Sequence, residues 1–346
     1  MSRILLTIGL ALISQAALSA ETRPDREAGA GLVPGAIPGT VRLAGTSTSL
    51  GVGGRLESHA TLSDVNFGPQ QAGRDRLRFA QIPVAPGNAD KNQFRFNSRD
   101  SRLWFQLFRP GQSQDLNVYF EFDMTEEPDS YQFNVRHAYV NLGSLLAGRT
   151  YTTFIDSAVL PDVDSGSAPG EITLKRNQLR WVHRFGDGGM ELAVAVEDTD
   201  SHVVNPGTDT IENYDRGQRP ALASRLTWQE DWGQFSVATM LRSLRWQQDG
   251  KQLSQWAGGF GLSGRIEMGA VNNLRFMANY GNGLGRYITL GAYADASVTD
   301  DFSELDLHPV FSVLAAYQHY WHAEWRSTFS LSVCRVPACL AVPARC

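Results

Sequence analysis

Strict alternation of apolar and polar residues in short segments is the feature that most constrains this fold. Residues 114–124 show it best. Their apolar parity holds Leu116, Val118, Phe120, Phe122 and Met124, and their polar parity holds Asn117, Tyr119, Glu121 and Asp123. Side chains of a β-strand point to alternate sides, so one face of such a segment meets an apolar phase and the other meets water.

The alternating pattern repeats along most of the chain, in about 13 segments. They span residues 48–62, 92–108, 114–124, 131–142, 145–154, 173–184, 189–198, 219–229, 233–246, 254–267, 270–281, 309–320 and 323–333. Tight turns alternate with long polar connections at 63–91, 155–172, 199–218 and 282–308. Greek-key crossings of a soluble sandwich would scramble this order. The pattern predicts an all-β fold, a transmembrane antiparallel up-and-down β-barrel.

The N-terminus predicts export. Met1–Ala20 has a basic start, a short apolar run and a small-residue end, which is typical of a signal peptide. Residues 21–46 are rich in Pro, Gly and Ala and predict a flexible periplasmic leader. We assign the barrel to residues 47–333 and an aberrant tail to 334–346, and we expect the protein in the bacterial outer membrane.

The polar parity of the segments is dominated by arginine. Charged side chains are costly against lipid, so they are expected to line the lumen. The predicted pore-lining residues are Arg102, Glu121, Asp123, Arg136, Arg149, Arg176, Arg180, Arg225, Arg242, Arg265 and Arg275. A wet channel lined by guanidinium groups attracts small anions. Alternatively, these arginines pair with Glu121, Asp123, Glu191 and Glu197 and only stiffen the wall.

The long connection 155–172 is the best candidate for a loop folded into the channel. It combines apolar residues such as Ile155 and Val159 with Asp156, Asp162 and Asp164. An inward course would place these carboxylates opposite arginines and narrow the pore. The alternative is an ordinary exposed loop.

Several function classes are disfavoured. The formal net charge of −5 argues against a nucleic-acid partner. The motifs of P-loop proteins, zinc peptidases and serine hydrolases are missing, and the three cysteines crowd into the last 13 residues without an intervening histidine. We therefore predict no enzyme, no cofactor and no metal. Two alternatives remain. One is an outer-membrane barrel enzyme of the lipase or protease type, and the other is an exported soluble β-sheet ligand-binding protein.

Several motifs resemble the DcaP-like trimeric outer-membrane porins. They are Phe96–Arg102, Phe120–Asp123, Val135–Tyr139, Leu146–Phe154, Leu160-Pro161, Arg176–Arg180 and Gly283–Tyr287. The resemblance implies a sixteen-stranded homotrimeric barrel that passes small anions, dicarboxylates among them. It also implies an arginine constriction, for which Arg136, Arg149, Arg176 and Arg180 are the candidates. In that membrane the expected partners are outer-membrane lipid, lipopolysaccharide and small anionic solutes.

Two features depart from that family. Residues 21–46 show no heptads, although the family often carries a coiled coil before the barrel. The end, with Pro337 and Pro343, lacks an alternating strand and a terminal aromatic residue. The sequence shows about 13 segments, whereas the family implies 16 strands. We therefore expect a truncated or frame-shifted gene end after roughly Val333. Such a chain would form an incomplete barrel with unpaired edges.

Overall fold

A computed structural model of the chain describes residues 33–63, 93–98, 100–127, 130–161, 170–205, 210–213, 219–248, 250–291 and 293–336. Strands dominate these ranges, and no helix within them is long and apolar enough to cross a membrane. The predicted signal peptide, residues 21–32 of the predicted leader, Asp162, Asp164 and residues 337–346 lie outside the described residues.

Twenty strands form within the described ranges. In the first half they are β1 (Val41–Arg42), β2 (Ser49–Arg55), β3 (His59–Ser63), β4 (Gln93–Asn97), β5 (Arg102–Arg109), β6 (Leu116–Glu127), β7 (Ser130–Leu142), β8 (Leu145–Tyr151), β9 (Lys175–Phe185) and β10 (Met190–Glu197). They continue with β11 (His202–Asn205), β12 (Thr210–Asn213), β13 (Ala221–Glu230), β14 (Gly233–Gln248), β15 (Lys251–Met268), β16 (Asn272–Asn282), β17 (Ala296–Val298), β18 (Leu305–Leu307), β19 (Pro309–His322) and β20 (Trp325–Arg335). Two 3₁₀ turns occur at Ser157–Val159 and Thr289–Gly291.

The main sheet has 14 strands in the order β1-β2-β5-β6-β7-β8-β9-β10-β13-β14-β15-β16-β19-β20. Neighbouring strands pair antiparallel and follow chain order, as the predicted up-and-down topology requires. Each alternating segment of the sequence corresponds to a strand of this sheet, so the predicted fold class is confirmed. Within the described residues the sheet is open, with β1 and β20 at its edges and no pairing between them.

The two faces of the main sheet are inverted relative to a soluble protein. On β9, Leu179 and Trp181 are 57% and 44% exposed, whereas Arg176 and Gln178 are 6% and 7% exposed. We call the face of Arg176 and Gln178 the polar face and the opposite one the apolar face. A contiguous exposed apolar face needs an apolar solvent such as lipid. This arrangement contradicts the alternative of a soluble β protein with an apolar interior.

The N-terminal part of the structure differs from the sequence prediction in two respects, the extent of the leader and the first two strand segments. Val41–Arg42 lies inside the predicted leader but pairs with β2, because the Pro- and Gly-rich stretch before it folds back and Val33 O accepts from Arg42 N at 2.7 Å. The first two predicted segments are each divided in two. β2 and β5 belong to the main sheet, whereas β3 and β4 form a separate two-stranded sheet.

Two long connections also contain strands that the alternation does not predict. β11 and β12 come from the connection after β10, and β17 and β18 from the one after β16. Together they form a four-stranded sheet in the order β12-β11-β17-β18, which we call the loop sheet. Its centre is a parallel pairing in which Val203 lies opposite Ala296. Both residues belong to a buried cluster with Leu244 and Trp246 of β14, which anchors the loop sheet to the main sheet.

Candidate functional site

Most of the predicted wall residues share the polar face of the main sheet. Strand parity and side-chain contacts place these on it: Arg102, Glu121, Asp123, Arg136, Arg176, Arg180, Arg225, Arg242, Arg265 and Arg275. The pairing register brings several together. Arg265 of β15, for example, lies opposite Arg275 of β16 and Gln234 of β14. The polar face of the sheet is thus a broad, strongly charged surface.

Arg149 is the exception and corrects the sequence prediction. It lies in register with Ala138 and Asn177, on the other side of β8 from Thr150. Its guanidinium donates to Val135 O at 3.3 Å and to Lys175 O at 3.4 Å. The flanking Gly148 and Thr150 fit either face of a strand, so alternation alone does not fix its parity.

A β-bulge in β7 concentrates charge at one point of the polar face. Glu121 pairs with His137 and Phe122 with Val135, so Arg136 is an extra residue in the register. Arg136 Nε donates to Glu121 Oε1 at 2.9 Å, and Arg136 Nη1 donates to Asp123 Oδ2 at 2.5 Å. Here the arginine does pair with wall carboxylates, as the alternative interpretation required. The bulge also reverses the parity of the rest of β7, which the sequence does not reveal.

Residues 152–161 and 170–172, which we call the crossing segment, run across the polar face. Asp156 Oδ2 accepts from Gln234 Nε2 at 2.5 Å and from Ser236 Oγ at 2.8 Å, both on β14. Further along the segment, Arg275 of β16 donates to Leu160 O. The described part of the predicted inward loop therefore lies on the polar face.

The crossing segment also has an apolar side that fixes its position. Ile155 and Val159 are almost fully buried, in a cluster with Met277 of β16 and Leu314 of β19. These apolar residues on an otherwise polar face form a small core against which the segment packs. The segment is thus held by burial as well as by hydrogen bonds to the wall.

Arg180 and Arg225 meet where the crossing segment begins. Arg180 Nε donates to Thr153 Oγ1 at 2.8 Å, and Arg225 Nη1 donates to Thr153 O at 3.4 Å. Between them lies β10, where Ala195 is opposite Arg180 and Ala193 is opposite Arg225. These small side chains leave room for both guanidinium groups above the sheet. Neither arginine forms an ion pair with a carboxylate of the described residues, although each donates to neutral oxygens.

A second cluster joins the long connections to the wall; we call it the loop junction. Its members are Arg176, Asp200, Arg242, Arg286, Tyr287 and Asp295. Arg242 Nη2 donates to Asp295 Oδ2 at 2.6 Å, and both side chains are fully buried. Asp200 accepts from Arg176 and, at 3.1 Å, from Arg286. These two guanidinium groups hold the pKa of Asp200 far below its usual range despite burial.

Sequence reasoning finds only the strand members of the loop junction. Asp200 and Asp295 lie in connections whose pattern indicates polar loops, so nothing local marks them. Arg286 and Tyr287 do belong to the Gly283–Tyr287 segment that resembles the porin family. That segment is the one available signal for a site in this connection.

A large antiparallel sheet with an exposed apolar face and a charged face crossed by its own loop defines the class of outer-membrane β-barrel channels. The model of the family described as DcaP outer membrane protein matches residues 74–336. The chain therefore belongs to the DcaP outer membrane protein family, and its place is the bacterial outer membrane.

Solved structures agree in fold. The outer membrane channel DcaP of Acinetobacter baumannii superposes with a TM-score of 0.72 at 17% identity, covering 84% of this chain and 79% of that chain. Salmonella typhi OmpF, solved in complex with daunomycin, gives a TM-score of 0.50 at 11% identity, covering 83% and 79%. No curated protein sequence matches the chain significantly.

Proposed function

We propose that this outer-membrane channel passes small anionic solutes of the dicarboxylate type by passive diffusion. The observation that carries the proposal is the pair Arg180 and Arg225, which share Thr153 and form no ion pair with a described carboxylate. Two neighbouring positive charges repel each other, and a nearby anion offsets the energy of that repulsion. A passing carboxylate would relieve that repulsion and can accept the forked N–H groups of a guanidinium.

The other polar-face arginines have different roles in this proposal. Arg136 and Arg242 pair with carboxylates, so they contribute little net positive charge. The crossing segment narrows the passage, and Asp156 is engaged with β14 rather than free to repel anions. Asp162 and Asp164 remain proposed members of this constriction.

Reversal-potential measurements on the channel in planar bilayers test the proposal. Arg180→Gln combined with Arg225→Gln is expected to lower the anion-to-cation permeability ratio by at least about tenfold, since two charges about 5 Å from a monovalent anion in water stabilise it by roughly 1.6 kcal/mol and disfavour a cation by a similar amount. Arg180→Lys combined with Arg225→Lys is the matched control, because it keeps both positive charges at the same positions. An unchanged ratio in the glutamine double variant, or an inserted protein without current, would contradict the proposal.

Three accompanying features belong to the same proposal. They are export by a signal peptide at residues 1–20, assembly as a homotrimer, and contact of the outer rim with lipopolysaccharide. The family and its structural neighbours are channels, so they give no support to the barrel-enzyme alternative. Crosslinking in native outer membranes, with trimeric and monomeric bands as the two outcomes, tests the assembly.

A further inference from the structure

The loop junction contains buried hydrogen-bond donors that no described atom satisfies. Arg242 is 0% exposed, yet its Nε and Nη1 groups have no partner among the described residues. The same holds for Nε of Arg176, which is 6% exposed. The fully buried Tyr287 hydroxyl lies in hydrogen-bond contact with Arg176, so it accepts from that guanidinium group, while its own O–H has no acceptor among the described residues. An unsatisfied buried polar group costs about 1–3 kcal/mol, and more when it is charged. Several unsatisfied buried donors in one cluster indicate that an acceptor binds there.

These donors lie close together. The Cζ atoms of Arg176 and Arg242 lie 5.3 Å and 5.1 Å from the centre of the Tyr287 ring. Both arginines also reach Asp200, Arg176 through the carboxylate and Arg242 through the backbone oxygen at 3.2 Å. Both guanidinium groups therefore lie over the Tyr287 ring and in contact with Asp200.

The carboxylates nearby are already occupied. Asp295 accepts from Arg242 Nη2, Arg286 N and His202 N, and Asp200 accepts from Arg176 and Arg286. Glu197, the next carboxylate, accepts from Thr152 Oγ1 and Thr153 N, both at 2.6 Å. Three guanidinium groups thus share two carboxylates in direct contact. Burial raises the pKa of Tyr287, so its hydroxyl keeps its proton and can donate.

We infer that the loop junction binds one small monovalent anion, of the halide or small carboxylate class, between Arg242, Arg176 and Tyr287. Such an anion would accept the orphan N–H and O–H groups. It would also tie the connection before β17 to β9 and β14, because Tyr287 lies in that connection and the two arginines lie on these strands. The inference is independent of solute selectivity, and its test measures unfolding rather than current.

The test compares thermal unfolding of the refolded full chain in sodium gluconate and in sodium chloride at equal ionic strength. Gluconate is too large for a buried site, so chloride is expected to raise the midpoint by about 2–4 °C. Formate in place of chloride distinguishes a small carboxylate from a halide as the preferred occupant. The stabilisation is expected to saturate, unlike a general salt effect.

Two variants and one control make the test specific. Arg242→Lys keeps the charge and a donor to Asp295 but lacks the two orphan N–H groups, and Tyr287→Phe removes the orphan hydroxyl; both are expected to lose the chloride dependence. Arg184→Lys, on an exposed arginine, is expected to retain it. Equal dependence in all variants, or none in the parent chain, overturns the inference.

A direct measurement covers the case in which Arg242→Lys fails to fold. Crystals of the parent chain in bromide are expected to show an anomalous peak within hydrogen-bond distance of Arg242 and Tyr287. A peak at that place supports the site. Ordered water there, both in crystals grown in bromide and in crystals grown in formate, overturns it.

Discussion

Arg242 on β14 and Asp295 in the connection before β17 form an ion pair in which both side chains are fully buried, although 53 residues separate them in the chain. A buried pair of this kind contributes little net stability over an apolar replacement. Loss of one partner is different, because it leaves the other charge without compensation in a dry environment. The pair therefore fixes where the connection sits rather than how stable the sheet is.

Asp295→Asn is expected to destabilise the protein by on the order of 3–5 kcal/mol, because it strands the Arg242 charge. The matched control is Glu191→Gln, which breaks the pair with the 71%-exposed Arg184 and is expected to cost below about 1 kcal/mol. Urea unfolding of both variants in lipid vesicles measures the difference. Equal costs would mean that the buried pair is solvated in the membrane.

The Asp200 contacts are expected to survive mild acid. The pKa of Asp200 is lowered in the folded protein, mainly by Arg176 and Arg286, which outweigh the opposing effect of burial. Its stabilising contribution is thus complete above the pKa of an unfolded aspartate, ~3.9, and is lost only as the pH falls from there through the depressed native pKa.

Channel recordings between neutral pH and about pH 4.5 check this point. Open-channel noise that arises from the loop sheet should stay constant in the parent chain over that range. In Asp200→Asn the noise should already be high at neutral pH, because both arginines lose their ionic partner. A sharp rise in the parent chain near pH 6 would show that Asp200 does not control the junction.

Leu179→Arg tests the assignment of the apolar face to lipid. Leu179 is 57% exposed in the middle of β9, so an arginine there would lie against acyl chains. The expected cost is roughly 2–4 kcal/mol in the free energy of folding into vesicles. Leu179→Phe is the control and should be nearly neutral. If Leu179→Arg leaves the free energy of folding unchanged, this surface faces water or a protein interface instead of lipid.

Arg136→Met is expected to be costly for a different reason. Arg136 is the shared partner of Glu121 and Asp123, which are 8% and 4% exposed. Removing it leaves Asp123 without an ion-pair partner among the described residues and leaves Glu121 with Arg102 alone, whose Nη1 lies 3.8 Å from Glu121 Oε1, at a cost of about 3–5 kcal/mol. Adding Glu121→Gln and Asp123→Asn to the same chain should restore most of the loss. Failure of that rescue in urea titrations would assign the cost to the β-bulge itself.

The strands are predictable from the sequence and the contacts between loops are not, for a physical reason. A strand such as β13 is recognisable from its own residues, because successive side chains point alternately to lipid and to the polar face. An inserted residue such as Arg136 leaves no such signal, yet it inverts the parity of every later residue in its strand. Arg149 is misplaced by the pattern because its neighbours fit either side.

The loop junction escapes sequence reasoning because its members are joined only in three dimensions. Asp200 and Asp295 look like solvated loop carboxylates until Arg176 and Arg242 are brought beside them. The crossing segment is foreseeable because it carries both apolar residues and carboxylates. Its partners on β13, β14 and β16 are not, since they depend on how the sheet curves beneath it.

The parallel pairing of β11 with β17 sets an order of events during biogenesis. Val203 and Ala296 face each other, yet β13 to β16 lie between them in the chain. Closing such a long loop before those strands are in place would cost chain entropy with few contacts in return. The loop sheet is thus expected to form late, after β13 to β16 have joined the main sheet.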